Sequence, residues 1–243
     1  MDTEFPGVVA RPTNPTSNHR YQTMRLNVNM CKIIQLGIFI CDKDGNYIPN
    51  KCCWQFNFRF DEYDDLYAVE SIDLLRNSGI NFEELKVNGI DFEEFGEVLT
   101  TSGIVLNPRV RWISFHSGFD FGFLIKLLTS QMLPMDEEKF YELLNIYCPN
   151  IYDIKYITKS CNDLRGGLQK ISETLNVTRV GPQHQAGSDS LMTAAAFFCM
   201  AVQYFEGRLD DQKYLGVIYG LGHTGTGNGL RKVPTPLPWS PYY

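Results

Sequence analysis

The sequence predicts an α/β fold in which a mixed central sheet is flanked by helices. Two patterns carry this expectation: strand-like segments cluster early in the chain, and later ones alternate with helical segments. Composition agrees, since 44% hydrophobic and 13% aromatic residues over 243 positions can bury a substantial core.

Asp2–Phe5 is a short extended stretch broken by Pro6-Gly7, and Pro12, Asn14, Pro15, Ser17 and Asn18 mark a loop as far as His19. Lys32–Cys41 (KIIQLGIFIC) is rich in β-branched residues and ends on the turn signal Asp42-Lys43-Asp44-Gly45. Trp54, Phe56, Phe58 and Phe60 alternate with Gln55, Asn57 and Arg59, the period of a strand with one buried face. The two segments predict an antiparallel hairpin with a loop longer than two residues.

From Leu66 to Thr101 the texture is helical, with Ile72, Leu75, Ile80, Phe92, Phe95, Val98 and Leu99 recurring at three- and four-residue spacings. Val110–Phe115 reads as a strand, Phe119–Thr129 as a helix, and Asp136–Tyr147 as a helix led by Asp136-Glu137-Glu138. Ile151–Ile157 follows as a strand, Leu168–Leu175 as a helix, and Ser188–Phe205 as a long final helix. One domain is expected over 1–222, with a Gly/Pro-rich flexible tail over 223–243 that includes Pro234, Pro236, Pro238 and Pro241.

The charge balance, 22 basic against 28 acidic residues for a net −6, argues against a broad basic surface for nucleic acid. It leaves room for an enzyme that meets phosphates through bound cations. Leu191–Val202, the longest strongly apolar run, has 12 residues and contains Thr193, whereas a membrane span needs about 18–20. Asp2 and Glu4 directly after Met1 are unlike a signal peptide. Seven cysteines without a Cys-x-x-Cys pair read as thiols in a reducing compartment, and neither a disulfide framework nor a zinc site is expected.

The chemistry-bearing residues are acids. Asp2 and Glu4 would share a face of a strand, a spacing common among solvated surface charges, but here they lie beside Thr3, Phe5 and Pro6. Asp120, in SFHSGFD, stands where a strand gives way to a helix, and Asp189 stands in the first turn of the final helix. Helix starts favour carboxylates on dipole grounds alone. His184 precedes Asp189 by five positions on a Gly/Pro loop that can fold back beside it. Asp153 reads as a structural carboxylate and His116 as a hydrogen-bonded structural histidine that rivals His184 as a base. Gly220-Leu221-Gly222-His223-Thr224-Gly225 matches Gly-x-Gly-x-x-Gly without the strand, helix and later acid a dinucleotide site needs. Asn176-Val177-Thr178 is a glycosylation sequon that a cytosolic protein would not use. The tail prolines with Trp239, Tyr242 and Tyr243 read as a linker rather than a docking motif.

In order, Asp-x-Glu on an early strand, Asp at a strand-to-helix junction and His-x4-Asp entering a late helix resemble the DEDDh exonucleases. The phrases DTEFPGVVARP, KIIQLG, WQFNF, SFHSGFDFG, IYDIKY, GGLQKISE and GPQHQAGSDSLMT are similar to the catalytic deadenylase subunit of the CCR–NOT complex, from Met1 to about Gly222. That resemblance implies an RNase H-like (DnaQ-type exonuclease) fold and 3′→5′ removal of 5′-AMP from poly(A) RNA 3′ ends. It also implies docking on the NOT scaffold subunit, pairing with a second deadenylase, no membrane association, and residence in cytoplasm and nucleus. Two divalent cations, Mg²⁺ or Mn²⁺, are implied, with Asp2 bridging both, Glu4 and Asp189 on the ion holding the water, Asp120 on the other, and His184 as general base.

The residue types suit that chemistry. Like charges at ~4 Å repel by about 4 kcal/mol at an effective dielectric near 20, and divalent ions with hard oxygen ligands relieve this. The family normally places a helical segment and the first half of the central strand before Asp-x-Glu, so the N-terminal part of the first strand is expected to be missing, through an incomplete gene model. An adaptor that keeps the scaffold surface without catalysis, and a proofreading-type DNA exonuclease, are the rival readings.

Overall fold

The computed structural model describes residues 1–13, 18–48 and 52–222. The tail expected over 223–243, and the later part of the Gly-x-Gly-x-x-Gly match, lie outside the described residues.

Three strands form an antiparallel piece. β1 (Asp2–Glu4) pairs with β2 (Gln35–Phe39), setting Asp2 opposite Gly37 and Glu4 opposite Gln35. β2 pairs in turn with β3 (Cys53–Asn57), from Gln35↔Asn57 to Phe39↔Cys53, which is the expected hairpin. β4 (Trp112–Ser114) and β5 (Ile151–Asp153) pair in parallel. The amino group of Met1 donates to Ile113 O at 2.8 Å and joins the two pieces, so antiparallel and parallel pairs meet in a mixed arrangement.

β2 is the middle strand, and Gln35, Leu36 and Ile38 are all buried, so both of its faces are covered. That explains why its sequence reads as an apolar run instead of an alternation. β3 is the edge, and here the expectation of one buried aromatic face needs correcting. Trp54 is 41% exposed; the buried members, Phe58 and Phe60, lie just beyond the paired strand, where Phe58 meets Phe95 edge-on.

The helical stretch after β3 resolves into α2 (Val69–Asn77), α3 (Phe82–Asn88) and α4 (Phe92–Thr101). Asn81 caps α3 through Glu84 N, and Asp91 caps α4 through Glu93 N and Glu94 N. Ile72, Leu75, Phe95 and Leu99 are buried, whereas Val98 faces solvent. α5 (Gly118–Thr129) is buried nearly all round, which fits a helix packed between the sheet and other helices. α6 (Glu137–Tyr147) follows, with Asp136 in the cap position but making no side-chain cap bond.

One helix was not legible: α1 (His19–Met30) packs on α5, with Tyr21, Met24, Asn27 and Val28 inward. A second difference concerns 151–157, expected as one strand. It turns after Asp153 into α7 (Ile154–Ile157), because the Asp153 carboxylate accepts from Lys155 N at 2.9 Å and caps that turn. α8 (Leu168–Thr174), α9 (Ala186–Phe205) and α10 (Asp211–Tyr214) complete the order. α9 crosses β1, β2, β3 and β4. It approaches β2 so closely that a Cβ on Gly37 would lie 1.9 Å from Ala186 O. Among the described residues no helix is long and apolar enough to cross a membrane.

Candidate active site

Asp2 and Glu4 are half-buried on β1 with the buried Thr3 between them, the alternation their spacing predicts. Thr3 reaches Asp120 in the first turn of α5: its backbone N–H donates to Oδ1 at 2.8 Å and its hydroxyl to the same oxygen at 2.6 Å. The turn leading into α5 is fixed from beneath by Asp153, which is wholly buried. Its carboxylate accepts from His116 N at 2.9 Å, Ser117 N at 3.1 Å, Ser117 Oγ at 3.2 Å and Tyr219 N at 2.9 Å, besides Lys155 N.

The remaining groups come from the start of α9 and the loop before it. His184 sits in the left-handed region at φ 61°, and its backbone N–H donates to Asp189 Oδ2 at 3.0 Å. The fold-back of this loop thereby closes on Asp189 through the main chain. The ligand atoms of Glu4, His184 and Asp189 all lie within 4.8 Å of one another. Arg179 donates from Nη1 to Asp189 Oδ1, and from Nε to Gln169 Oε1 at 2.8 Å. Neither Thr3 nor Arg179 was singled out from sequence, because an unremarkable threonine and a loop arginine ten positions before Asp189 form no recognisable pattern.

The electrostatics describe a crowded acidic site. Burial, then the charges of Asp120, Glu4 and Asp189, pushes the Asp2 carboxyl well above its ordinary range. Burial, then Asp189 and Asp120, pushes Glu4 up to about 8. Burial raises Asp120 to about 6 despite the bonds from Thr3 that favour its charged form. Asp2, Glu4, Asp120 and Asp189, named from sequence, thus lie near enough to sense one another. Oxygen donors that repel when desolvated suit a hard divalent cation, which would restore their ionised forms. His116 lies apart from this group: burial lowers its pKa, and its ring meets Tyr219 edge-on at 5.0 Å.

A family model described as CAF1 family ribonuclease matches residues 1–98 and 92–197. The chain is 51% identical over 231 residues to the probable CCR4-associated factor 1 homolog 7 of Arabidopsis thaliana, covering 91% of this chain and 83% of that protein. It is 50% identical over 229 residues to the poly(A) ribonuclease pop2 of Schizosaccharomyces pombe, covering 93% of this chain and 68% of the relative. The solved structure of S. pombe Pop2p in its Mg²⁺- and Mn²⁺-bound form matches with a TM-score of 0.87 at 50% identity, over 90% of this chain and 88% of that one. A chain from the structure of the yeast NOT1 MIF4G domain co-crystallized with CAF1 matches with a TM-score of 0.75 at 35% identity, over 90% and 85%. With sequence and architecture agreeing over nearly its whole described length, the chain belongs to the CAF1 family of ribonucleases and has their RNase H-like fold.

Proposed function

We propose that this chain is a 3′→5′ exoribonuclease that shortens poly(A) tails and releases 5′-AMP, as a catalytic subunit of the CCR–NOT complex. The observation that carries the reading is the convergence of Glu4, His184 and Asp189, within 4.8 Å, beside the mutually repelling Asp2 and Asp120. Asp2, Glu4, Asp120 and Asp189 would hold two divalent cations, Mg²⁺ or Mn²⁺. Bound there, such ions supply charge stabilisation for the attacking and leaving oxygens of a phosphodiester displacement. His184 takes the proton of the attacking water, and Arg179 and Thr3 hold Asp189 and Asp120 in place.

A candidate surface for single-stranded RNA is built from lysines and rings around α7 and Tyr219. Lys159 Nζ lies 4.9 Å from the Tyr219 ring centroid and 5.1 Å from that of Tyr156, and Lys155 Nζ lies 5.7 Å from that of Phe115. Rings for stacking bases and ammonium groups for phosphates are the recurring parts of such surfaces. Asp153 ties this surface to α5, since it holds both Tyr219 N and the turn before Asp120. The yeast relative co-crystallized with NOT1 supports docking on a NOT scaffold, and the family resemblance extends this to a second deadenylase as partner.

The test is Mn²⁺-dependent shortening of a 5′-labelled oligo(A), with a chelator as control and single-stranded DNA as competitor. Stepwise shortening that stops with chelator supports the reading. A protein that takes up Mn²⁺ but leaves the oligo(A) intact would be the adaptor instead, and preference for the DNA would make it the proofreading-type exonuclease.

A further inference from the structure

Three of the phrases that carry the family likeness, KIIQLG, WQFNF and GPQHQAG, each contribute one glutamine to a single network. Gln35 lies on the middle strand β2 and is 2% exposed. Its Oε1 accepts from Ala186 N at 3.1 Å, and Gln55 Oε1, from the edge strand β3, accepts from Gly187 N at 2.9 Å. These are the first two N–H groups of α9, donors that a helix leaves without an internal partner. A Ser, Thr, Asp or Asn in the cap position ordinarily takes such a group.

Here the cap position holds Gln185, which makes no such bond. Its amide is engaged elsewhere: Oε1 accepts from Gln35 Nε2 at 3.1 Å and Gln55 Nε2 at 2.8 Å, and Nε2 donates to Ser78 O at 3.1 Å. The two backbone donors fix which end of Gln35 and of Gln55 is oxygen. Both nitrogen ends then converge on one acceptor, so reversing any of the three amides would set donor against donor or acceptor against acceptor. Side-chain amides thus join two strands to the first turn of α9, beside one further contact from β3, Cys53 Sγ to Gly187 O at 3.2 Å.

The position of this network matters. Glu4 is the β-partner of Gln35, while Asp189 lies two residues beyond Gly187 and His184 directly precedes Gln185. One short lever therefore connects the strand position of Glu4 to the helix turn carrying Asp189. We propose that Gln35, Gln55 and Gln185 are positioning residues for the cation-holding cluster, setting α9 at the height on the sheet where Asp189 and His184 meet Glu4. This rests on the reading that the cluster binds divalent cations, and it adds what aligns the two halves of that cluster.

The experiment uses Gln55→Met, which keeps side-chain length but has no amide; Gln55 is exposed on an edge strand, so the variant is expected to fold. Gln35→Met is the buried counterpart. Gln203→Met, at the far end of α9 where Gln203 Nε2 reaches Leu175 O at 3.4 Å, is the control. In ion-free protein, amide hydrogen exchange at Gly187 is expected to speed up in Gln55→Met and that at Ala186 in Gln35→Met, with neither changed in Gln203→Met. In a Mn²⁺ titration followed by electron paramagnetic resonance, Gln55→Met is expected to bind roughly tenfold more weakly than the wild type at an unchanged melting temperature. Wild-type exchange at Gly187 in Gln55→Met, or wild-type Mn²⁺ affinity in that variant, overturns the proposal and leaves the cation reading standing. Failure of the wild type itself to take up Mn²⁺ overturns both.

Discussion

Thr3 holds Asp120 twice through one carboxylate oxygen, by its backbone N–H and by its hydroxyl. A residue between two acids of one strand thereby fixes a third acid on a helix 117 positions away. Thr3→Val keeps the shape and the backbone bond and removes the hydroxyl bond. It is expected to weaken Mn²⁺ binding roughly tenfold. The buried carboxylate also loses a donor, which should cost about 1–3 kcal/mol of stability. Thr3→Ser should restore both; a Mn²⁺ titration paired with thermal melts of the two variants is the check.

The ion-free protein should be less stable at high pH than at low pH. Glu4 and Asp120 have folded pKa values of about 8 and about 6, above their ordinary 4.5 and 3.8. For a group raised on folding, the stabilising contribution is complete below the unfolded value and disappears as pH rises through the folded one. Between pH 4 and pH 8, then, this cluster withdraws stability, and each ~1 kcal/mol lost lowers Tm by roughly 2–4 °C in a chain of this size. Melts in chelator across that range should fall with pH, and Mn²⁺ at the upper end should restore Tm. Glu4→Gln should flatten the trend and raise the ion-free Tm while weakening Mn²⁺ binding.

His184→Ala separates proton transfer from ion holding. Removal of a positioned general base should slow single-turnover cleavage by about 10²–10⁴. Mn²⁺ affinity should stay within a few-fold of wild type if the imidazole acts on water. A Mn²⁺ affinity that collapses along with the rate would make His184 a ligand instead, since its ring lies within 4.8 Å of the Glu4 and Asp189 donor atoms.

Asp153→Asn should be more damaging than its place outside the cluster suggests. The amide keeps one acceptor oxygen where the carboxylate uses both, for His116 N and Lys155 N on Oδ1 and for Ser117 and Tyr219 on Oδ2. Leaving buried donors unpaired should cost about 1–3 kcal/mol for each. The variant should melt lower, and its KM for oligo(A) should rise because Tyr219 and the start of α5 are released together. Differential scanning calorimetry and steady-state kinetics on the soluble fraction would measure the two effects.

The sequence made the acids legible and hid most of what holds them. Asp2 and Glu4 show the period of a strand, Asp120 and Asp189 stand at visible helix starts, and the turn signal at Asp42–Gly45 announces the β2–β3 hairpin. α1 escaped because its inward face includes Asn27, buried completely. The Asn27 side chain binds Val9 N and Ala10 N through Oδ1, and Ala10 O and Thr23 O through Nδ2, a role no apolar periodicity reveals. Residues 154–157 read as strand because two isoleucines and a tyrosine have strand propensity. A carboxylate cap decided otherwise. Trp54 departs from the expected buried face because alternation specifies which residues share a face, while only the neighbouring elements decide whether that face is covered.

The contact between Gly37 and the start of α9 has a consequence for interpreting variants. Even alanine at 37 would have to displace the Ala186 carbonyl, lifting the helix that carries Asp189. Every side chain of the acidic cluster would still be encoded, yet Asp189 and His184 would no longer be set against Glu4. A genetic screen sorting loss-of-function alleles by chemical type would file such a change among harmless one-methyl swaps, although it sits at the fulcrum of the cluster.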